Sequence, residues 1–216
     1  MPLYQALVRR HLPTCVGLAF ITLLYPTAVV AQIHEVVVGV TPSCPYGIKA
    51  CWAGAYHALG RIDGVESVST TPDAYNCTAT IRLKPEMLPD PERFATAFEK
   101  MVGKAYVFRG VEVTVEGIVE KAGDSLTLRV PGIPQPVNLI PLQHKLQWNF
   151  KKTAARQPEP DERDALAQLI LKSKDATSPC KVHVTGPFTR TDHGYSLEVR
   201  EFIANNPHGG GIDGPN

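Results

Sequence analysis

The stretch CWAGAYHALGRIDGVESV, from Cys51 to Val68, decides how the N-terminal part of this chain folds. Its apolar residues recur at the i, i+3, i+4 and i+7 positions of a helix that buries one side: Trp52, Ala55, Ala58, Leu59 and Ile62. Gly64 then permits the left-handed backbone conformation that commonly ends a helix. The stretch therefore predicts a helix and a following strand, with Ala55 and Leu59 facing a sheet.

The flanking sequence predicts further strands and a second helix. HEVVVGV, residues 34–40, is an apolar, β-branched run typical of a central strand. Thr78 to Leu83 alternates apolar and polar residues, and so predicts a strand that completes a hairpin. Asp90 followed by Pro91 is typical of a helix start, and Gly103 of its end, before a further strand. The predicted order is strand, helix, strand, strand, helix, strand.

This pattern resembles the heavy-metal-associated domain, a ferredoxin-like βαββαβ module of copper chaperones and metal-pumping ATPases. The resemblance covers residues 33–110, and its most specific part is a Gly-Val pair that follows Cys51 at the family's interval. By the resemblance, Cys51 matches the second metal-ligating cysteine of a Cys-x-x-Cys motif. Ile48 stands where the first would fall, and the nearest upstream thiol is Cys44.

The resemblance implies non-catalytic binding or transfer of a soft metal ion such as Cu(I), with a metal-handling protein as a partner. Cys51 would be the principal ligand and Cys44 the second. Cys77 is a further candidate, because the hairpin between the second and third strands of a ferredoxin-like domain lies at the same end as the first strand-to-helix loop. Three alternatives stay open. Two of these cysteines form a disulfide, and the chain is a metal-free structural or interaction protein. Otherwise the cysteines are unpaired buried thiols, or the chain is an OB-type ligand binder.

The second part of the chain, residues 111–204, has the pattern of a small β-barrel. A helix over Asp161 to Lys174 interrupts five predicted strands, whose apolar positions lie within 111–119, 126–130, 137–139, 182–184 and 195–199. This order resembles an OB-fold. The sequence thus predicts an α+β chain, a ferredoxin-like domain followed by an OB-like barrel. Residues 205–216 have little apolar content and are predicted to be a flexible tail.

Residues 1–31 have the pattern of a signal peptide. Two arginines precede an apolar run, and Val29-Val30-Ala31 offers a small-residue cleavage site before Gln32. We expect a periplasmic or secreted protein with no membrane span after cleavage; the alternative is an uncleaved anchor. Cleavage removes Cys15 and leaves an even number of cysteines for an oxidising compartment: Cys44, Cys51, Cys77 and Cys180.

Composition and motifs argue against two other classes of protein. Trp148 and Phe150, beside Lys145, Lys151 and Lys152, are typical of a nucleic-acid groove. The formal net charge is only +1, however, and the same predicted barrel is rich in carboxylates: Glu112, Glu116, Glu120, Asp161, Glu162 and Asp164. We therefore expect no nucleic-acid partner. The histidines have no ligand spacing, and the sequence has no catalytic triad pattern or phosphate-binding glycine loop, so we expect a protein that is not an enzyme.

Overall fold

The structure is a computed structural model, and it describes residues 33, 35–85, 87–122, 125–175, 179–192 and 194–204. The predicted signal peptide, 1–31, and the predicted tail, 205–216, lie outside the described residues.

The chain forms a mixed α+β fold with few helices and a large, mostly antiparallel sheet of nine strands. Its helices are α1 (Gly47–Ala50), α2 (Trp52–Leu59), α3 (Pro91–Val102) and α4 (Pro160–Asp175). Its strands are β1 (Glu35–Pro42), β2 (Val65–Val68), β3 (Thr78–Leu83), β4 (Tyr106–Ala122), β5 (Ser125–Arg129), β6 (Val137–Pro141), β7 (Trp148–Asn149), β8 (Ala154–Ala155), β9 (Lys181–Thr191), β10 (Gly194–Val199) and β11 (Glu201–Ala204). Among the described strands, β7 and β8 pair only with each other.

The N-terminal unit consists of four antiparallel strands in the order β4-β1-β3-β2, with α2 and α3 packed together. Val36, Val38 and Val40 alternate along β1 and are fully buried, as are Ala55 and Leu59 of α2. The predicted facing of that helix is therefore confirmed. Burial of this shared apolar surface is what fixes the helices against the sheet, since it removes hydrocarbon from water.

The second unit is a ring of five strands that closes on itself. Each strand pairs with the next in the order β4-β5-β6-β10-β9, and β9 pairs back with β4. Only the β6–β10 pair of this ring is parallel. The ring encloses a core that includes Leu128, Val137, Val184, Phe188 and Leu197, all buried. In the chain, helix α4 lies between β6 and β9.

Strand β4 belongs to both units. It runs without a break for 17 residues, and pairs with β1 in its first part and with β5 in its last. The boundary predicted between residues 110 and 111 falls inside this strand, and that division into two domains stays a prediction. The two parts of the chain share this one strand, and its ladder with β1 shifts register between Gly39 and Val40, opposite Gly110.

Three local features differ from the sequence prediction. A short helix, α1, precedes Cys51, where the sequence indicated only a loop. Helix α2 ends at Leu59, so Gly64, although its φ is +95°, lies in the turn before β2 and does not end the helix. Strand β11 was not predicted, because its four residues lack a strong alternation and form only through pairing with β9.

Candidate functional site

A disulfide joins Cys44, in the loop after β1, to Cys51, which lies between α1 and α2. The bridge closes the segment that contains Tyr46 and the whole of α1. The hydroxyl of Tyr106 donates a hydrogen bond to the carbonyl oxygen of Cys51. Of the alternatives that the sequence left open, the structure has the disulfide. In this oxidised state neither sulfur is a thiolate, so the pair does not fit the donor set that a soft metal requires.

Cys77, the third candidate ligand, is a free and fully buried thiol at the end of the turn before β3. Its carbonyl oxygen accepts a hydrogen bond from the backbone N–H of Val40 at 2.9 Å. Burial raises the pKa of the Cys77 thiol, the carboxylate of Asp73 raises it further, and the guanidinium groups of Arg156 and Arg109 oppose this. Burial and the Asp73 carboxylate both make it more costly to form the Cys77 thiolate that a soft metal would bind.

The described part of the chain contains no group of three or more His, Cys, Asp or Glu side chains arranged to hold a metal ion. Cys180 is a free, half-buried thiol just before β9. His57 is exposed on α2, and its ring contacts the ring of Tyr56. His183 lies on β9, 3.1 Å from a carboxylate oxygen of Glu116. Metal binding by the reduced cysteines stays a prediction.

The segment between β6 and α4, residues 142–159, reaches across to the N-terminal unit; we call it the β6–α4 segment. The backbone N–H of Trp148 donates to the carbonyl oxygen of Asn76 at 2.8 Å. Leu146 packs so closely on Gly39 of β1 that a Cβ there would lie 2.8 Å from its Cγ. A larger residue than glycine at this position of β1 would therefore clash with Leu146 and, at the same distance, with the Cβ of Arg109 on β4.

Two arginines hold the β6–α4 segment against the N-terminal unit by stacking on aromatic rings. The guanidinium carbon of Arg109, on β4, lies 3.9 Å from the centre of the Trp148 ring. That of Arg156 lies 3.7 Å from the centre of the Tyr75 ring, and its Nη2 donates to the Tyr75 carbonyl oxygen at 2.8 Å. A cation above an aromatic face is attracted by the ring quadrupole, and the planar guanidinium also stacks. Each contact joins the β6–α4 segment to the N-terminal unit.

A buried ion network anchors the base of the same segment. Lys145 Nζ lies 2.8 Å from both carboxylate oxygens of Glu162 on α4, and both side chains are only 11% exposed. Arg200 contacts that carboxylate at 3.5 Å and also bonds Glu112 of β4 at 2.9 Å. Glu112 in turn accepts a hydrogen bond from Gln147 at 3.4 Å. The segment is therefore tied to α4, to β4 and to the end of β10.

Between the disulfide-closed loop and the β6–α4 segment lies a cavity of about 300 Å³, which we call the junction cavity. Three elements form its walls: the loop and α1, the turn before β3, and the β6–α4 segment. Its lining residues are Tyr46, Gly47, Ile48, Lys49, Ala74, Tyr75, Asn149, Phe150, Lys151 and Arg156. Three of these are cations and none is an acid.

The junction cavity has binding chemistry and no catalytic chemistry among its lining residues. It offers ammonium and guanidinium donors, aromatic surface and an amide, but no nucleophile paired with a base. The sequence pattern did single out Trp148, Phe150 and Lys151, but placed them in a groove of the barrel. Their position against the cysteine loop has no local signal, because Arg156 and Tyr75 are 81 residues apart in the chain.

Comparison with protein-family models, with curated proteins and with solved structures finds no match for this chain. Among the helices that the structure describes, none combines the length and the apolar content that crossing a bilayer requires. The disulfide is consistent with an exported protein, since such bonds persist mainly in oxidising compartments.

Proposed function

We propose that this protein is an exported, non-catalytic interaction module in which a disulfide-stapled loop presents a binding surface. The observation that carries the proposal is the Cys44–Cys51 disulfide, because it closes the loop that forms one wall of the junction cavity. The module consists of a ferredoxin-like unit and an OB-like barrel. The strand order β4-β1-β3-β2 supports the first assignment, and the closed five-strand ring with one parallel pair supports the second.

The disulfide gives the loop a defined shape without metal. The disulfide joins two cysteines with a sequence separation of 7. It restricts the unfolded chain, which stabilises the folded state by about 2 kcal/mol. A wall that is already ordered also lowers the entropy cost of binding a partner. Both effects favour an interaction surface that is ready before its ligand arrives.

Two independent observations support export. The N-terminal sequence has a signal-peptide pattern, and a disulfide forms between two of the cysteines that would remain after cleavage. We therefore place the mature protein in the periplasm or outside the cell, with its first residue near Gln32.

A second candidate function is soft-metal binding by the reduced form. The disulfide places the sulfurs of Cys44 and Cys51 side by side, so reduction would leave two neighbouring thiols. Cys51 lies between the end of α1 and the start of α2, and a soft metal ion would bind the two cysteines as thiolates. Two such thiolates prefer Cu(I) or another soft heavy-metal ion. The protein would then bind or transfer metal only under reducing conditions.

Thiol counting followed by a competitive Cu(I) titration tests these candidates. The interaction module predicts that the unfolded but unreduced mature protein has free thiols at Cys77 and Cys180 only, and that the native protein has no tight Cu(I) site. Four free thiols after purification would contradict it. Tight binding of one Cu(I) by the reduced protein, lost in Cys51→Ser and retained in Cys180→Ser, would support the metal candidate.

A further inference from the structure

We infer that the junction cavity binds an acidic peptide segment of a partner protein, with carboxylates at Lys49, Lys151 and Arg156 and an apolar side chain against the cavity's aromatic surface. This inference rests on the proposed function, because it names the partner chemistry of the same disulfide-closed loop. Its experiment measures peptide binding and therefore fails separately from the thiol count and the Cu(I) titration.

The first argument is the charge of the cavity lining. Lys49, Lys151 and Arg156 come from two of its walls, and within the described ranges none of them has a carboxylate at ion-pair distance. Two other cations at the contact between the two units are matched: Arg190 bonds Asp90 at 2.9 Å and Arg200 bonds Glu112 at 2.9 Å. A set of unmatched cations around one cavity is complementary to an anionic ligand.

The second argument is the placement of Arg156. Its ring contact and its hydrogen bond to the Tyr75 carbonyl oxygen hold the guanidinium in one orientation. That bond uses only one of its donors, and its Nε is buried with no hydrogen-bond partner within the described residues, so the terminal nitrogens are the donors left for a ligand. A guanidinium offers its donors as a rigid fork that matches a carboxylate, and fixing the fork beforehand reduces the entropy lost on binding. Arg156 is thus the primary carboxylate contact.

The third argument separates a peptide from a small anion. A volume of about 300 Å³ is at the low end for a small-molecule pocket, and is sufficient for one or two side chains. The surface suited to binding extends beyond this volume, because Tyr46 and Tyr75 are 80% and 73% exposed at its edge. Tyrosine and arginine are the residues that most often contribute binding energy at protein interfaces. A peptide engages both the cavity and this aromatic edge.

The charge distribution also favours a peptide over nucleic acid. The cations line a single cavity, and the whole chain has a formal net charge of only +1. Binding to a phosphate backbone depends on many cations along a track, since each phosphate contact releases a counterion. A short run of glutamate or aspartate with a neighbouring apolar residue needs only the charges that the cavity provides.

Fluorescence anisotropy with a fluorescein-labelled peptide, Glu-Glu-Leu-Glu-Glu-Phe, tests this inference on the oxidised mature protein. We expect saturable binding that weakens as NaCl is raised, because salt screens exposed charges, and no binding of the same peptide with glutamine in place of glutamate. Arg156→Gln should weaken binding by about tenfold or more, as expected for the loss of a charged hydrogen bond. Lys49→Gln combined with Lys151→Gln should weaken it as well.

Lys100→Gln is the matched control, because Lys100 is an exposed lysine on α3 outside the cavity lining. This variant should bind the peptide with the same affinity as the unaltered protein. Arg156→Lys keeps the charge and should recover part of the affinity, while circular dichroism reports whether each variant is folded. Equal binding of the glutamine peptide, or equal affinity in all folded variants, would overturn the inference. Displacement of the peptide by free glutarate at a concentration equal to that of the peptide would also overturn it. So would a labelled oligothymidylate that binds more tightly than the peptide.

Discussion

The guanidinium group of Arg156 lies 3.7 Å from the centre of the Tyr75 ring, although the two residues are 81 positions apart in the sequence. Tyr75 belongs to the turn before β3, and Arg156 follows β8 in the β6–α4 segment. Their contact closes one side of the junction cavity, so the site exists only when both units are folded. Variants that unfold either unit are expected to lose the junction cavity.

Removal of the disulfide should destabilise the protein without unfolding it. Replacing both Cys44 and Cys51 with alanine is expected to lower the free energy of unfolding by about 2 kcal/mol, because the short closed loop regains its freedom in the unfolded state. Urea denaturation with and without dithiothreitol measures the effect. The reductant should destabilise the unaltered protein and the Cys180→Ala control alike, and leave the double variant unchanged. If dithiothreitol destabilised the double variant by the same amount, the bond would contribute nothing to the free energy of unfolding.

Substitution of Leu59 tests the helix that the stretch from Cys51 to Val68 predicts. Its side chain is 0% exposed between α2 and the sheet, so Leu59→Ala should lower the free energy of unfolding by about 2 to 5 kcal/mol through lost burial and the cavity left behind. His57→Ala, on the exposed side of the same helix, is the control and should change stability by less than about 0.5 kcal/mol. Chemical denaturation compares the two, and equal effects would contradict the packing.

Glu162 is expected to make stability depend on pH below neutrality. Burial alone would raise the pKa of its carboxyl, but hydrogen bonds from Lys145 and from the Glu159 backbone, with the charges of Lys145 and Arg200, lower it below its ordinary value of 4.5. The folded state thus binds the proton less tightly than the unfolded state. The stabilisation is fully present above the ordinary pKa and is lost as pH falls through the lower, folded-state pKa.

Glu162→Gln should therefore destabilise the protein at pH 7 by about 3 kcal/mol, since it leaves Lys145 buried without its counter-charge. The difference between variant and unaltered protein should shrink as the pH falls below the ordinary carboxyl pKa of 4.5. Thermal or urea denaturation across this range measures it. Glu66→Gln, which alters an exposed carboxylate on β2 outside this ion network, serves as the control. A difference that is constant with pH would contradict the assigned proton linkage.

The two free thiols should differ in reactivity. Cys77 is fully buried and its pKa is raised, whereas Cys180 is half-buried, so iodoacetamide at pH 8 should label Cys180 first in the native protein. Cys77 should react at a comparable rate only after unfolding in urea. Mass spectrometry of tryptic peptides at timed intervals follows both sites. Faster native labelling of Cys77 would show that the turn before β3 opens readily.

Local signals in the sequence predicted the local structure well. The Asp90-Pro91 start and the Gly103 end gave the bounds of α3, because the Asp90 side chain accepts the Arg93 N–H at 3.1 Å and proline occupies the first helical turn. The bounds predicted for β3 are those observed. These features depend on residues only a few positions apart, so a single sequence contains the information.

Features that depend on distant residues were not predicted. The spacing of Cys44 and Cys51 was compatible with a metal site or with a disulfide, since the choice depends on the oxidation state of the folded loop. The β6–α4 segment contains strands of only two residues, too short for any periodic pattern. Its docking on the cysteine loop is the result of tertiary contacts between ionic and aromatic side chains, which no periodicity encodes.

The continuity of β4 has a mechanical consequence for the junction cavity. A flexible linker would let the two units swing apart, whereas a hydrogen-bonded strand shared by both restrains this motion, although the β1–β4 ladder shifts register beside Gly110. We expect the cavity to open more readily by local motion of the β6–α4 segment than by rotation of one unit against the other. Amide exchange along the middle of β4 should accordingly be as slow as in the core of either unit, even while the cavity exchanges its contents.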